Sequence, residues 1–305
     1  MSGILHFIES KANPIFLIAM ALGFVMPWVE HLPQDTVSVL LAFTIFLGCT
    51  RLSLDHMRAV KPATALWFII LRYLVIPVAV FYLSGFFVSD MMSVAALLII
   101  LAPSGVVSAA LTGMLRGNVA FSLLVTLASH LLFIISAPLL LSTLAGKAVT
   151  IDAMSLLLRL CWMIIVPLLA CFALNRMAPM TVQKIKPVAA AWSVILITIS
   201  IVVIVAQIKH HIFENPSLLV EGFVWITFIF ALNYLVFGWM LGHRQPRDIQ
   251  NAMAVCSGAN NTALTIVLAV LYFPPQVTVL MVIAEIIWII ALPLYRMFYA
   301  RAERG

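Results

Sequence analysis

Charge is scarce in this chain. Only 9% of its 305 residues are Asp, Glu, Lys or Arg, against roughly 25% in a soluble globular protein. That shortage excludes a soluble globular enzyme, and it excludes a disordered chain, which needs polarity to stay open. Cysteine is scarce as well. Cys49, Cys161, Cys171 and Cys256 all fall in apolar stretches and none stands in CxxC spacing, so neither a disulfide framework nor a zinc site is expected. No small-residue cleavage site follows the apolar run after Lys11, so no signal peptide is expected. No nucleophile–base or metal-ligand constellation is apparent either, which argues against an enzyme and against a bound cofactor. What the chain has in excess is apolar surface. Hydrophobic residues make up 64% of it, and the mean hydropathy is +1.16. At about 20 apolar residues per bilayer-spanning helix, that content suits about ten spans.

Ten apolar segments can be read, at 14–29, 36–50, 63–86, 92–112, 119–141, 153–174, 188–208, 222–242, 249–272 and 277–298. Continuous apolarity of this length predicts helices, because an open strand cannot satisfy its backbone in lipid. The basic residues give the orientation. Thirteen of them (Lys11, Arg51, Arg58, Lys61, Arg116, Arg176, Lys184, Lys186, Arg244, Arg247, Arg296, Arg301 and Arg304) fall on one side of such a topology, and only Lys147 and Lys209 on the other. This places both termini in the cytoplasm of a multi-pass membrane protein, and a bacterial inner membrane is the expected location. It also accounts for the net charge of +6 without nucleic acid as a partner. The bilayer is the expected surrounding, and the expected state is a monomer or a weak homodimer.

The chain repeats itself. Ser104 to Thr112 reads SGVVSAALT and Ser257 to Thr265 reads SGANNTALT, identical at five of nine positions and offset by 153 residues. Half of a ten-span chain holds five spans, an odd number, so the second half must lie upside down relative to the first. The expected repeats are residues 1–153 and 154–305. Inverted repeats are the mark of secondary transporters, whose sites lie where discontinuous helices meet at the midplane. Both matched segments make poor helix interiors. The fourth span carries Pro103 and Gly105, and the ninth carries Gly258, Asn260 and Asn261. Fold class is therefore expected to be all-α, with ten transmembrane helices and broken fourth and ninth spans that cross.

Ionisable residues deep in a span are functional candidates by default, because each costs on the order of 2.5–3.5 kcal/mol to insert. Arg72 lies roughly 14 Å into the third span and Glu285 roughly 12 Å into the tenth, at 1.5 Å per residue. His130 lies mid-span in the fifth and is the repeat mate of Glu285. Arg159, roughly 9 Å deep by the same rise, is within reach of the interface.

Three stretches carry a family resemblance. Leu52-Ser53-Leu54-Asp55-His56-Met57-Arg58 with Pro62, then Gly117-Asn118-Val119-Ala120-Phe121-Ser122, then Asn260-Asn261-Thr262-Ala263-Leu264 resemble the bile acid/sodium symporter family, and the bacterial type in particular. The resemblance implies a panel domain of spans 1, 2, 6 and 7 and a core domain of spans 3–5 and 8–10. It also implies two sodium ions in the core. Several ligands it implies are absent. Ser108, Ser122 and Thr126 supply hydroxyls for the first ion, but an expected Asn is Ala109 and an expected Glu is Cys256. For the second ion, an expected Gln of the ninth span is the shorter Asn260, and an expected Gln of the third span is Arg72.

These readings lead to a carrier of a small or amphipathic organic anion, working by alternating access. Its coupling would be to protons, or independent of sodium. The substrate-binding candidates are Arg72, Ser104, Ser108, His130, Asn260, Asn261 and Glu285. Ser108, Ser122, Thr126 and Asn260 are the candidates for an altered sodium site. Two alternatives stay open: a sodium-coupled symporter with a rebuilt ion site, and a membrane sensor or channel that does not transport by alternating access.

Overall fold

A computed structural model describes residues 2–33, 35–51, 60–105, 107–146 and 151–302. The motif at 52–58 lies outside the described residues, apart from the Pro62 that follows it. Apart from one bridged residue pair, the described residues form helices and connections and no strand. In chain order the helices are α1 (Ser2–Ser10), α2 (Ala12–Val25), α3 (Asp35–Cys49), α4 (Pro62–Ser84), α5 (Asp90–Leu101), α6 (Ser108–Met114), α7 (Val119–Leu144), α8 (Ala153–Met177), α9 (Pro179–Ile185), α10 (Ala189–Ile212), α11 (Pro216–Met240), α12 (Arg247–Gly258), α13 (Thr262–Tyr272) and α14 (Pro275–Ala302). Six are long and apolar enough on their own to cross a membrane: α4, α7, α8, α10, α11 and α14 over Pro275–Tyr299. The protein is thus an all-helical, multi-pass membrane protein. Every apolar segment read from the sequence is helical here, and the fourth and ninth are each split in two.

Two of the long helices carry a wide π-helical turn just before a proline. In α4 it is Leu71–Val75, followed by Pro77, and in α8 it is Cys161–Ile165, followed by Pro167. Proline has no N–H to return to the preceding turn and crowds its carbonyl, and the widened turn takes up the mismatch. The Ile76 N–H reaches back five residues to the Leu71 carbonyl. A third π stretch, Leu232–Met240, ends α11.

The chain forms two compact units. The first is Met1–Leu52 with Ser155–Asn215. In it α10 packs on α2 and α3, and α8 packs on α3. Phe16, Ala19, Leu41, Ile45, Val203 and Ala206 form its interior. Two ion pairs tie its elements together. Arg159 pairs with Asp35, and Lys209 Nζ lies 2.7 Å from Glu30 in the short 3-10 turn Pro27–His31. The Lys209 ammonium bonded to Glu30 holds its carboxyl below the usual carboxylate range.

The second unit is Ser53–Met154 with Pro216–Gly305, and its core is of a different kind. Met92 to Leu101 of α5 and Gln250 to Gly258 of α12 are buried at every position. A helix buried all round is usually apolar all round, and the buried run of α5 is so except for Ser93. By contrast, α12 carries Gln250, Asn251 and Ser257. Their polar groups need partners inside the protein, and this draws a polar network into the centre of the unit.

Candidate functional site

The breaks in the two split helices have local causes. In the first, Ala102 precedes Pro103, and a residue before proline is pushed from the helical region towards extended backbone. Ala102 has ψ 132° and ends α5. In the second there is no proline. Ala259 and Asn261 leave the helix at ψ 69° each, and the Asn261 side chain restarts it by accepting from the Leu264 N–H at 3.4 Å, as a good N-cap does.

Each break supplies what the other lacks. Ser104 and Asn260 form an antiparallel bridge. The Gly105 N–H donates to the Ala259 carbonyl at 2.7 Å, and the Asn261 N–H donates to the Pro103 carbonyl at 2.8 Å. Backbone freed at one interruption is thereby satisfied by the other, the condition for irregular backbone inside a membrane protein. The approach leaves no room for side chains at two glycines. A Cβ on Gly105 would lie 2.9 Å from the Ala259 carbonyl oxygen, and one on Gly258 would lie 2.4 Å from the Tyr234 ring.

Three clusters surround this meeting point. The first is centred on Arg72, which is fully buried. Its Nε donates to Ser257 Oγ at 2.6 Å and its Nη1 to the Ile100 carbonyl at 2.6 Å. Its Nη2 donates to Asn233 Oδ1 at 2.9 Å and the Ser257 carbonyl at 2.8 Å, with Asn260 Oδ1 at 3.5 Å. All five oxygens are uncharged, and among the described residues no carboxylate pairs with Arg72. Next to it, the Tyr73 hydroxyl donates to the Cys256 carbonyl at 2.7 Å.

The second cluster is a chain of hydroxyls. Thr126 Oγ1 donates to Ser104 Oγ at 3.3 Å, Ser104 Oγ to Ser108 Oγ at 2.9 Å, and Ser108 Oγ to the Ala259 carbonyl at 3.0 Å. Ser129 Oγ accepts from the Ser104 N–H at 3.1 Å. Ser122 stands apart from the chain and takes the Cys256 thiol at 3.2 Å.

The third cluster gathers at the start of α13. His130 Nδ1 lies 2.8 Å from the Thr126 carbonyl, and its Nε2 lies 3.2 Å from Asn261 Nδ2. A carbonyl can only accept and an amide nitrogen only donate. His130 is therefore a neutral imidazole with its proton on Nδ1. Glu285 is buried and takes the Thr262 hydroxyl. It forms no ion pair with Arg72.

The structure thus gathers Arg72, Ser104, Ser108, Thr126, His130, Asn260 and Asn261 around one feature, with Glu285 joined to it through Thr262. The sodium candidates divide. Ser108 and Thr126 belong to the hydroxyl chain, Ser122 faces a thiol, and Asn260 turns its oxygen to Arg72 and its Nδ2 to the Ile99 carbonyl at 2.7 Å. Sequence reading passed over Asn233, Ser257, Ser129 and Thr262. Ser257 and Thr262 lie inside the repeated nine residues and could have been found there. Asn233 is a lone amide in an apolar run, and nothing local marks it. Among the described residues, no group of three or more His, Cys, Asp or Glu side chains is placed to hold a metal ion.

The family model of the sodium bile acid symporter family matches residues 38–215. The probable sodium/metabolite cotransporter BASS1, chloroplastic, of Arabidopsis thaliana is 29% identical over 287 residues, covering 88% of this chain and 68% of that protein. The rice protein of the same name is 28% identical over 262 residues, covering 82% of this chain and 61% of its own length. The uncharacterized sodium-dependent transporter YocS of Bacillus subtilis is 25% identical over 279 residues, with 88% and 84% covered. The chain thus spans 68% and 61% of the two plastid relatives. With a family model matching more than half of its length, this chain belongs to the sodium bile acid symporter family, a family of membrane transporters and not of enzymes.

Proposed function

We propose that this chain is a secondary active transporter of a small or amphipathic organic anion, working by alternating access. In this reading ten helices span the membrane as two inverted repeats, 1–153 and 154–305, with both termini in the cytoplasm of a bacterial cell. The first compact unit acts as a panel and the second as a core. The single observation that carries the reading is the meeting of the two interrupted helices at the two copies of the internal repeat. Membrane carriers place substrate sites at such points. The names of the relatives, sodium/metabolite cotransporters, support a small-molecule cargo.

The anion is assigned to the side of the meeting point where α13 begins, lined by Ser104, Ser108 and Asn261, with Asn260 turned away to Arg72 and the Ile99 carbonyl. The positive end of a helix dipole favours negative charge there. Arg72 acts on the anion chiefly through its charge, because four of its five N–H donors are already taken up by protein oxygens. Glu285, buried with no ion-pair partner among the described residues, is assigned as the proton carrier, with His130 holding Asn261. The ion site for sodium is altered in this reading, since Ser122 faces Cys256 rather than the hydroxyl chain.

Uptake and counterflow of a radiolabelled carboxylate panel in proteoliposomes, with sodium and pH varied independently, tests the proposal. Saturable uptake with counterflow supports a carrier, and linear flux without counterflow supports a channel or sensor. The runner-up reading is a sodium symporter with a rebuilt site. It is favoured by the chain of hydroxyls from Thr126 through Ser104 to Ser108, which ends on the Ala259 carbonyl. A steep sodium dependence abolished by Thr126→Ala would select it.

A further inference from the structure

The surroundings of Arg72 are those of a dissolved cation rather than those of an ion pair. Five neutral oxygens converge on the guanidinium. Two of them, the carbonyls of Ile100 and Ser257, lie in the last turns of α5 and α12. The last four carbonyls of a helix have no partner within it and carry the negative end of its dipole. Two such ends therefore point at one positive charge. The side-chain amides are turned to match. Asn260 presents its oxygen to Arg72 while its nitrogen binds the Ile99 carbonyl. Asn233 presents its oxygen to Arg72 and leaves its buried Nδ2 without a partner. An unpaired buried donor is destabilising, so this amide is oriented for the cation at the expense of its own nitrogen. Both Arg72 and Asn233 sit in π-helical stretches, a distortion frequent at functional positions.

We propose that these five oxygens form a monovalent-cation site that the chain fills permanently with its own guanidinium. With no carboxylate in the set, the oxygens suit a single charge; a divalent ion would call for anionic ligands. A tethered cation cannot be released. If the transport reading holds, no ion gradient acts through this position, and the two half-helix ends are held together throughout the cycle. Replacing Arg72 with a neutral side chain of similar reach empties the position and leaves the oxygens for a free ion of sodium size.

The test is binding of radioactive sodium to the purified full-length protein in detergent, together with its melting curve in sodium chloride and in choline chloride at equal ionic strength. Wild type, Arg72→Gln and Arg72→Lys are compared. Arg72→Gln is expected to bind one more sodium ion per chain than wild type. Its melting temperature should recover towards that of wild type in sodium but not in choline. Arg72→Lys, which keeps a tethered charge, is expected to bind no more sodium than wild type. A folded Arg72→Gln that binds no additional sodium overturns the proposal. So does an Arg72→Gln that cannot be recovered in sodium while Arg72→Lys can, because the cage then rejects a free cation. Failure of both variants overturns it too, since the guanidinium fork and not its charge would be what the oxygens require. None of these readings depends on substrate. A failure of the transport proposal would appear separately, as absent uptake with sodium binding behaving as described.

Discussion

The two sides of the meeting point are built on opposite principles. On the side where α5 and α12 end, a permanent charge is enclosed and almost fully bonded. Arg72 reaches five oxygens and is sealed from solvent. On the side where α13 begins, the groups are titratable and lightly held. Glu285 has one hydroxyl partner, and His130 has a carbonyl and an amide. A group held through four of its five N–H donors can rearrange only by breaking several hydrogen bonds at once. A group with one partner can exchange it. In the transport reading proposed above, the first side is the fixed frame of the site, and the second is where a substrate or a proton comes and goes.

The largest effect expected from this contrast is at Arg72. Arg72→Leu removes the cation and leaves the amide and carbonyl oxygens unpaired, and each buried polar group left unsatisfied costs about 1–3 kcal/mol. Size-exclusion profiles and melting curves of the purified protein should show a protein that is largely unfolded or aggregated. Next comes the contact that joins the two breaks. Gly105→Val places its Cβ against the Ala259 carbonyl, and uptake should fall on the order of tenfold or more, about 1.4 kcal/mol of barrier. A variant with normal uptake would mean that the bridge only packs. On the lightly held side, Glu285→Gln can still accept the Thr262 hydroxyl, so melting should change little. What should disappear is the dependence of uptake on pH, and a wild-type pH profile in this variant would remove Glu285 from the mechanism. Ser122→Ala loses only a thiol contact, worth about 0.5–1.5 kcal/mol, and should leave ion dependence unchanged.

The smallest effect lies outside both clusters, at Glu30. Its carboxyl is held below its ordinary value by Lys209. A depressed carboxylate contributes stability that is present above its unfolded pKa, about 4.3, and is lost as pH falls through the folded value. Glu30→Gln should therefore flatten the acid end of the melting-temperature profile and leave the neutral region almost unchanged. An unaltered acid limb would remove this pair from the account of stability.

Much of the helical arrangement was legible because the bilayer imposes a long apolar run on each helix. The same pressure made Pro103, Gly105, Asn260 and Asn261 conspicuous, since each is out of place in such a run. Arg72 and Glu285 stood out as ionisable groups at depth. Their partners did not. Which oxygens face Arg72 depends on π-helical turns that shift side chains around the helix axis, and Leu232–Met240, unlike Leu71–Val75 with its Pro77, has no residue pattern that announces one. Asn233 could be placed only once that turn was seen. Ser122 illustrates the opposite limit, because a hydroxyl suited to an ion site in sequence turned out to face the Cys256 thiol. Arg159 was read as reaching for the interface, and in the structure it pairs with Asp35, a partner 124 residues away that no local pattern indicates.

The central claim is that two interrupted helices, held together by an enclosed guanidinium, form the site of an anion carrier that does not draw on sodium. Its most direct test is carboxylate uptake and counterflow in proteoliposomes in which sodium has been fully replaced by choline. The account predicts saturable uptake and counterflow that persist without sodium, respond to pH, and are lost in Gly105→Val. Uptake that vanishes with sodium and returns steeply on its addition would contradict it.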